Sequence, residues 1–332
     1  MFTSKPELFS SVLSIVDETD QVVRRGNLSK ATSDPAEAFT EADLIFVTVP
    51  AFGMKNAAAQ IYPHHKQGVK IALIPGTGGG ECAFRKCVDK GAVVFGLQRV
   101  PSVARLVEYG KTVRAVGYRP ELFAAAIPYE YTEECCSLMK DIFDMPCIPL
   151  PCYLNVTLTP SNPILHTTRL RVLYKDYVKG MKFDSVPLFY EGWNDESSEL
   201  LLKCDEEVQQ LCRAMPEFNL EYVRSLRVHY ESETAEQLTR KLTSIASFKG
   251  LKSPTIEIDG KFIPDFESRY FTADFPFGLS ILKQMADIIG VNTPNINETL
   301  EWYYSLADKK EEFSFEHYNL HTKDELIAFY AQ

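Results

Sequence analysis

One of the six histidines in the sequence, His166, stands apart by its setting. It lies in the segment PSNPILHTTR (residues 160–169), after two prolines and near the start of a helical pattern. Histidine titrates near neutral pH and can exchange a proton with a substrate. The alternative for His166 is a structural role. The other five lie in polar contexts, where we expect them to be exposed and without function: His64, His65, His229, His317 and His321.

A second segment that could do chemistry is PDFESRYFTADFPFG (residues 264–278). It carries Arg269 and Asp274, five positions apart, and a turn between two elements would allow both to face one cleft. An arginine can bind a substrate carboxylate through two parallel hydrogen bonds. An aspartate can orient an imidazole and stabilise its protonated form. The alternative is a surface ion pair with Asp274 as a helix N-cap, and spacing alone does not show that His166 and Asp274 meet.

The elements that would position these residues begin with short apolar runs that end at proline or glycine. These runs alternate with helical stretches, which is typical of βαβ units and a parallel sheet with strands buried on both faces. Strands are predicted at 43–50, 69–75, 92–97 and 112–117, and helices at 4–20, 54–61 and 81–90. Ligands bind beyond the carboxyl ends of such strands. The candidate segments there are 50–52, 75–80 and 98–105.

The pattern changes near residue 150. Four prolines (Pro149, Pro151, Pro160 and Pro163) mark a connecting stretch, and strand signals nearly vanish after it. Long helical periodicities follow at 164–181, 196–213, 218–248, 276–290 and 296–307. The predicted fold class is α/β: a Rossmann-like parallel-sheet domain at residues 1–152, followed by a mainly α-helical domain at residues 153–332.

The sequence shows no GxGxxG motif at its start, where a doubly wound nucleotide domain normally has one. The run Gly76–Gly80 follows a late strand, so it is either a phosphate cradle or a flexible turn. The first strand of such a fold is central, and a sheet without it would have two exposed edges. We therefore expect that Met1 lies at the end of the second strand and that the sequence lacks the first βα unit.

If Met1 lies at the end of the second strand, the first residues of the chain bear on the choice between NAD and NADP. An acidic residue at the end of the second strand bonds the ribose 2′-hydroxyl of NAD, whereas small polar and basic residues suit the 2′-phosphate of NADP. The segment here contains Ser4 and Lys5 and no acid, which favours NADP(H). The alternative is that Ser4 only caps a helix.

Composition narrows the function classes. Apolar residues make up 45% of the 332 residues, which is typical of a globular protein. The formal net charge is −10, which argues against nucleic-acid binding. No apolar run approaches a membrane span, no metal-ligand spacing is convincing, and no CxxC occurs among the eight cysteines. These features predict a cytoplasmic protein with reduced thiols and no membrane partner.

Together the motifs resemble the octopine/nopaline (opine) dehydrogenase family over nearly the whole chain. The two most specific are the Asn162-Pro163…His166 segment and Arg269-Tyr-Phe-Thr-Ala-Asp274-Phe-Pro-Phe-Gly278. The others also occur in 6-phosphogluconate-dehydrogenase-like enzymes or are shorter: Val49-Pro50-Ala51-Phe52, Pro75-Gly76-Thr77-Gly78-Gly79, Gln98 with Pro101 and Arg105, and Tyr109-Gly110-Lys111.

The resemblance implies NAD(P)H-dependent reductive condensation of an α-keto acid with the amino group of an amino acid. It implies a catalytic dyad of His166 and Asp274, with Arg269 binding a substrate carboxylate and Gln98 near the substrate. The expected cofactor-binding residues are Ser4, Lys5, Pro50, Ala51, Phe52, Pro75, Gly76 and Thr77. A homodimer is expected from the habit of the family.

The sequence departs from the family pattern at three places, which bear on substrate identity. Thr167 stands where the family often has proline, Ala273 replaces the usual acid, and Ser102-Val103 replaces an aromatic-alanine pair. Two other functions remain open. One is a 2-keto acid/2-hydroxy acid oxidoreductase that uses no amine. The other is a non-catalytic ligand-binding relative, if the chain truly starts at Met1.

Overall fold

The computed structural model describes residues 1–159, 161–307 and 312–332. Pro160, one of the predicted linker prolines, lies outside these ranges. Within them the chain forms three sheets and a set of helices that lie mostly after residue 150. The strands are β1 (Val12–Val16), β2 (Val22–Asn27), β3 (Leu44–Val47), β4 (Lys70–Leu73), β5 (Val93–Leu97), β6 (Val103–Glu108), β7 (Thr112–Val116), β8 (Leu122–Ile127), β9 (Cys147–Pro149), β10 (Thr255–Ile258) and β11 (Lys261–Pro264).

The helices of the first half are short. They are α1 (Pro35–Phe39), α2 (Met54–Ile61), α3 (Gly80–Ala83), α4 (Arg85–Asp89) and α5 (Thr132–Phe143). The helices of the second half include the longest of the described residues. They are α6 (Leu154–Thr157), α7 (Ser161–Leu173), α8 (Asp195–Arg213), α9 (Leu226–His229), α10 (Ala235–Ser244), α11 (Arg269–Thr272), α12 (Ser280–Ile289), α13 (Pro294–Leu306) and α14 (Lys323–Tyr330).

The central sheet has the strand order β3-β4-β5-β8-β9. Strands β3, β4 and β5 are parallel and joined by helices, as the alternating pattern predicted, so the α/β fold class is confirmed. Strand β8 runs antiparallel to β5, and β9 is parallel to β8. Because β3, β4 and β5 run the same way, the segments that follow them meet at one edge of the sheet.

Strand β3 was expected to be buried on both faces, and this is wrong for one side chain. Phe46 is 41% exposed, although Ile45 and Val47 are buried. The reason is that β3 is the edge strand, and no described strand pairs with its outer side. Strands β4 and β5, which have neighbours on both sides, are almost completely buried.

A second sheet, in the order β2-β1-β7-β6, was not expected. The predicted helix at 4–20 is wrong: Pro6–Leu8 form a single 3₁₀ turn and β1 follows. Strand β1 forms a hairpin with β2 and pairs in parallel with β7, so the predicted strand at 112–117 exists but belongs to this sheet. Ser4 does not cap the 3₁₀ turn, because Lys5 occupies the cap position without a side-chain hydrogen bond.

The helical half also differs in detail from the prediction. Helices α8 and α13 match, α7 ends earlier than predicted, and the stretch 218–248 contains two short helices instead of one. The predicted helix at 81–90 is likewise split into α3 and α4. The hairpin β10–β11 turns at Asp259 and Gly260, both with positive φ, which shows that strands do not vanish after residue 150.

The final helix returns to the sheet domain. The Tyr330 hydroxyl donates to Glu81 Oε1 at 2.7 Å, and the guanidinium of Arg85 lies 5.0 Å from the ring centre of Phe329. Glu81 is 1% exposed and also accepts a hydrogen bond from Thr157 at 2.6 Å. Burial raises the pKa of the Glu81 carboxyl. This contact joins α3, α6 and α14.

Candidate active site

His166 and Asp274 are in direct contact. His166 Nδ1 lies 2.8 Å from Asp274 Oδ2, although the two residues are 108 positions apart in the chain. Their side chains are 10% and 18% exposed, so both are shielded from bulk water without being sealed from it. A carboxylate that holds one ring nitrogen of a histidine leaves the other nitrogen in a defined state for proton transfer.

The turn that carries Asp274 has unusual backbone geometry. Asp274 follows α11 and immediately precedes a π-helical turn, in which the Leu279 amide donates to the Asp274 carbonyl at 2.8 Å. Pro276 lies in this turn and has no backbone N–H to donate. Single π-turns are frequent at functional sites, because they redirect side chains at the junction of helices.

Close packing between this turn and α7 brings the pair together. A Cβ on Gly278 would lie 2.7 Å from the Pro163 side chain, nearer than real Cβ contacts occur. Only glycine therefore lets the turn approach the first turn of α7. His166 follows Pro163 on the same helix, so this approach is what allows its ring to reach Asp274.

Aromatic rings surround the imidazole. The ring of Tyr270 packs edge-to-face on His166 with centroids 4.4 Å apart, and Phe189 lies at 5.5 Å. The Tyr190 hydroxyl lies 3.0 Å from His166 Nε2. Burial raises the pKa of the Tyr190 phenol, so it keeps its proton. With Asp274 accepting at Nδ1, a neutral imidazole carries its proton on Nδ1 and accepts from the Tyr190 hydroxyl at Nε2.

Arg169 anchors the loop that presents Tyr190. It lies on α7, is 2% exposed, and donates to the carbonyls of Phe189 at 3.1 Å and Gly192 at 2.6 Å. A third donor reaches Ser197 Oγ at 3.2 Å. Burial lowers the pKa of the Arg169 guanidinium to about 10. The charge is compensated by carbonyl and hydroxyl dipoles, and its hydrogen bonds fix the position of Tyr190 relative to His166.

The two predicted substrate residues, Gln98 and Arg269, differ in their surroundings. Gln98 is 9% exposed, and its Nε2 donates to the carbonyls of Asn155 at 3.0 Å and Tyr222 at 3.1 Å. It thus joins the end of β5 to the helical half. Arg269 is exposed at the first position of α11. The structure shows no hydrogen bond from Gln98 or Arg269 to His166 or Asp274 within the described ranges.

The predicted cofactor residues form two adjoining loops after β3 and β4. Pro50, Ala51 and Phe52 lead through a 3₁₀ turn into α2. In the second loop, the Gly76 amide donates to the Leu97 carbonyl at 2.8 Å. The loops touch, because a Cβ on Gly78 would lie 2.7 Å from that of Ala51.

Thr77 follows Gly76 in the second loop, between Pro75 and Gly78. Ser4 and Lys5 are exposed near the start of the chain. Their segment is placed by Phe2, which forms a parallel bridge with Thr32 and packs its ring on Phe39 with centroids 5.1 Å apart.

Comparison with known proteins identifies the relatives of this chain. Residues 149–307 match the family described as the α-helical domain of NAD/NADP octopine/nopaline dehydrogenase. A tauropine dehydrogenase from Arabella iricolor is 29% identical over 300 residues, covering 84% of this chain and 75% of the relative. An opine dehydrogenase from Haliotis discus hannai is 31% identical over 299 residues, covering 83% of this chain and 72% of the relative.

The chain belongs to the opine dehydrogenase family. The fold agrees: a solved octopine dehydrogenase with NADH and L-arginine superposes with a TM-score of 0.82 at 22% identity, covering 97% of this chain and 87% of that one. Opine dehydrogenases are NAD(P)-dependent oxidoreductases that act on CH–NH groups, and this chain is one of them.

Among the described residues, no helix is both long and apolar enough to cross a bilayer, and no three metal-binding side chains are grouped. All eight cysteines are free thiols, as expected. The prediction that His65 is exposed is wrong, because this residue is 3% exposed and its Nδ1 lies 3.0 Å from the Lys66 carbonyl.

Sequence reasoning missed Tyr190, Tyr270 and Arg169 as parts of this opine dehydrogenase site. Tyr270 and Arg169 stand inside the two motifs and could have been found by helical spacing, since Arg169 is three positions after His166. Tyr190 lies in a loop between α7 and α8. Its only signal is the cluster of aromatic residues in PLFYEGW (residues 187–193).

Replacing Gly278 with alanine tests how the pair is brought together. We expect Gly278→Ala to push α7 away from the turn, to lower the free energy of unfolding by about 1–3 kcal/mol and to reduce kcat more than tenfold. Denaturant unfolding and steady-state kinetics measure both. The control is Gly26→Ala on exposed β2, where no atom lies within 4 Å of the new Cβ. Full activity in Gly278→Ala would contradict the packing argument.

The tautomer of His166 is directly observable. At neutral pH, two-bond ¹H–¹⁵N NMR of ¹⁵N-histidine-labelled protein should show His166 protonated on Nδ1, with Nε2 as an acceptor. The assignment of the signal comes from its loss in His166→Asn. A spectrum showing protonation on Nε2 alone would mean that Tyr190 and Asp274 do not hold the ring as described.

Proposed function

We propose that this opine dehydrogenase condenses an α-keto acid with the amino group of an amino acid and reduces the resulting imine. The observation that carries the proposal is the 2.8 Å contact between His166 and Asp274, assembled from the two most specific family motifs. The imidazole is shielded by aromatic rings, and its Nε2 can exchange a proton with a substrate once the Tyr190 hydroxyl no longer occupies it. Such a group can accept a proton from a reacting carbonyl or imine substrate and donate it back.

The loops after β3 and β4 suit a nicotinamide nucleotide. They contact each other at the carboxyl edge of the sheet, where open α/β sheets bind nucleotides. A Cβ at Gly76, Gly78 or Gly79 would lie within 3 Å of neighbouring protein atoms, so glycine at these positions is what lets the two loops pack into this arrangement. Pro50, Ala51, Phe52, Pro75, Gly76 and Thr77 would hold the cofactor there. When bound, the reduced nicotinamide supplies a hydride.

The roles of the dyad follow from its hydrogen bonds. During condensation, His166 carries two protons in turn through Nε2 from the attacking amine nitrogen to the carbonyl oxygen: the first gives the carbinolamine, and the second lets the oxygen depart as water. Asp274 holds the Nδ1–H and stabilises the imidazolium between these steps. Arg269, exposed at the start of α11, is assigned to a substrate carboxylate, and Gln98 is assigned to the substrate pocket wall.

The cofactor preference proposed is NADP(H) over NAD(H). Its support is the exposed pair Ser4 and Lys5 in a segment without an acidic side chain. A lysine can contact a 2′-phosphate as a point charge, whereas an acid there would repel it. Related folds use both nucleotides: the solved octopine dehydrogenase holds NADH and a solved yersinopine dehydrogenase holds NADP⁺.

The proposal also covers the domain boundary, the cellular location and the oligomeric state. The domain boundary at 152/153 is supported by the end of β9 at Pro149 and the start of α6 at Leu154. A cytoplasmic location is supported by eight free thiols. A homodimer is proposed from the habit of the family.

The dyad is tested by His166→Asn and Asp274→Asn. Placed acid–base groups contribute about 10²- to 10⁴-fold in rate, so both variants should lose turnover on that scale while nucleotide binding, measured by fluorescence titration, stays unchanged. The matched control is His321→Asn, an exposed histidine. Turnover within a few-fold of the unmodified protein would overturn the assignment.

Omitting one substrate separates the proposal from its alternative. Oxidation of the reduced nucleotide should require both a keto acid and an amino acid. Oxidation with the keto acid alone, unchanged on adding any amino acid, would instead identify a 2-keto acid reductase. Absence of nucleotide binding would favour a non-catalytic relative.

The cofactor preference is tested with Lys5→Gln. We expect a higher kcat/KM with NADPH than with NADH, and a several-fold smaller ratio in the variant, because one charge-assisted phosphate contact is lost. Lys86→Gln on α4 is the control with the same change of charge. A preference for NADH, or a ratio unaffected by Lys5→Gln, would contradict the proposal.

A further inference from the structure

The glycine-rich loop between β4 and α3 (residues 74–79) is held by a side chain of the helical half. Tyr153, the residue before α6, donates its hydroxyl proton to the Gly76 carbonyl at 3.1 Å. Tyr153 is 1% exposed, and burial raises the pKa of its phenol, so the hydroxyl keeps the proton that it donates. This hydrogen bond joins the start of the loop to the other half of the molecule.

Two glycines make room for the Tyr153 hydroxyl. A Cβ on Gly96, in β5, would lie 2.4 Å from the hydroxyl oxygen, and a Cβ on Gly76 would lie 2.9 Å from it. Both distances are shorter than real Cβ contacts. Gly96 pairs with Leu73 at the end of β4, so the hydroxyl lies where the carboxyl ends of two parallel strands meet. Open α/β sheets bind nucleotides at that edge.

The same short helix holds the far end of the loop. Thr157 lies four positions after Tyr153, and residues four apart on a helix share a face. Its hydroxyl donates to Glu81 Oε1 at 2.6 Å, and Glu81 is the second residue of α3, just after the loop. The Tyr330 hydroxyl donates to the same oxygen at 2.7 Å. Helix α6 and its preceding residue therefore fix the loop at both ends.

The bond to Gly76 sets the direction of the next backbone amide. The peptide between Gly76 and Thr77 is trans, so its carbonyl and its N–H point in opposite directions. Because the carbonyl faces Tyr153, the Thr77 N–H faces away from it. The amides of Thr77 and Gly78 donate to no acceptor among the described residues, and both residues are partly exposed. They are donors that a ligand can use.

We propose that Tyr153 is a positioning residue of the nucleotide site: by holding the Gly76 carbonyl, it directs the Thr77 amide toward an acceptor oxygen of the bound nucleotide. Thr157 supports the same loop through Glu81. This inference rests on the proposed function, which places the nucleotide at this loop. It goes further, because a side chain buried behind the loop, in the helical half, then sets part of the nucleotide affinity.

Removal of the hydroxyl tests this role. Tyr153→Phe keeps the ring and should raise the Kd of NADPH and of NADH by about threefold to tenfold in fluorescence titrations, the range for one neutral hydrogen bond. Both nucleotides should be affected equally, because the contact does not involve the 2′-phosphate. The kcat at saturating nucleotide should stay unchanged. Tyr118→Phe, at a residue that is 55% exposed, is the matched control.

A purely structural role would give a different result. It would lower the melting temperature of Tyr153→Phe and leave the nucleotide Kd of the folded variant unchanged, which would overturn the proposal. An equal rise of Kd in Tyr118→Phe would also overturn it.

Thr157 separates the hydroxyl from the shape of the side chain. Thr157→Ser keeps the donor and should keep the nucleotide Kd, whereas Thr157→Val keeps the volume, removes the donor to Glu81 and should raise the Kd. A normal Kd in Thr157→Val with a raised Kd in Thr157→Ser would overturn the role of this hydrogen bond. If Thr157→Val does not fold, Tyr153→Phe decides the proposal.

Hydrogen–deuterium exchange observes the loop without turnover. In the absence of nucleotide, a peptide covering residues 75–80 should exchange faster in Tyr153→Phe than in the unmodified protein, because the loop has lost a hydrogen bond. Reduced nucleotide should slow the exchange of this peptide in the unmodified protein. Equal exchange in both proteins without nucleotide would overturn the positioning role.

The outcomes distinguish this inference from the proposed function. If the unmodified protein binds no nucleotide, the cofactor site of the proposed function fails and the inference fails with it. If the unmodified protein binds nucleotide and Tyr153→Phe binds it equally well, the inference alone is overturned.

Discussion

The hydrogen bond between His166 and Asp274 is the contact that the rest of the site maintains. It spans 108 residues of sequence and joins a helix to a π-turn. Gly278 permits the approach of the two backbones, and Arg169 fixes the loop that places Tyr190 on the opposite ring nitrogen. The imidazole is thus held at both nitrogens before a substrate arrives, which reduces the reorganisation needed for proton transfer.

Three wholly or partly buried arginines, Arg169, Arg99 and Arg119, differ in what surrounds their charge. Arg169 is buried and fully hydrogen-bonded to carbonyls and a hydroxyl, so it contributes to structure. Arg99 and Arg119 are only partly buried; neither has a carboxylate partner in the described ranges, although Arg119 Nε donates to the Val100 carbonyl. The difference is in what the charge meets. A hydrogen-bonded cation stabilises a loop, whereas a partly buried cation without a partner is costly to the fold.

Much of the fold follows from local patterns. Strands β3, β4 and β5 were predictable because apolar runs end at proline or glycine, and the long helices because their periodicity persists. The hairpin β10–β11 carried a readable signal, since Asp259-Gly260 is flanked by extended segments. The sheet formed by β1 and β7 was not predictable, because its pairing joins segments about 100 residues apart and no local rule specifies the partner.

The site shows the same limit. Motif resemblance pointed to His166 and Asp274, but spacing could not establish that they touch, because the contact depends on the packing of Gly278 against Pro163. Tyr190 could not be predicted from the sequence as part of the site, for a related reason. It lies in an irregular loop whose position is set by a buried arginine on another element.

The C-terminal helix α14 restricts how the two halves of the molecule can move. Tyr330 is hydrogen-bonded to the buried carboxyl of Glu81, which sits at the base of the glycine-rich loop and also meets Thr157. A wide swing about the 150–153 connection would strip Glu81 of a partner in an apolar interior. A motion of the two halves that keeps both hydrogen bonds of Glu81 is limited to small sliding of packed surfaces, as in shear movements.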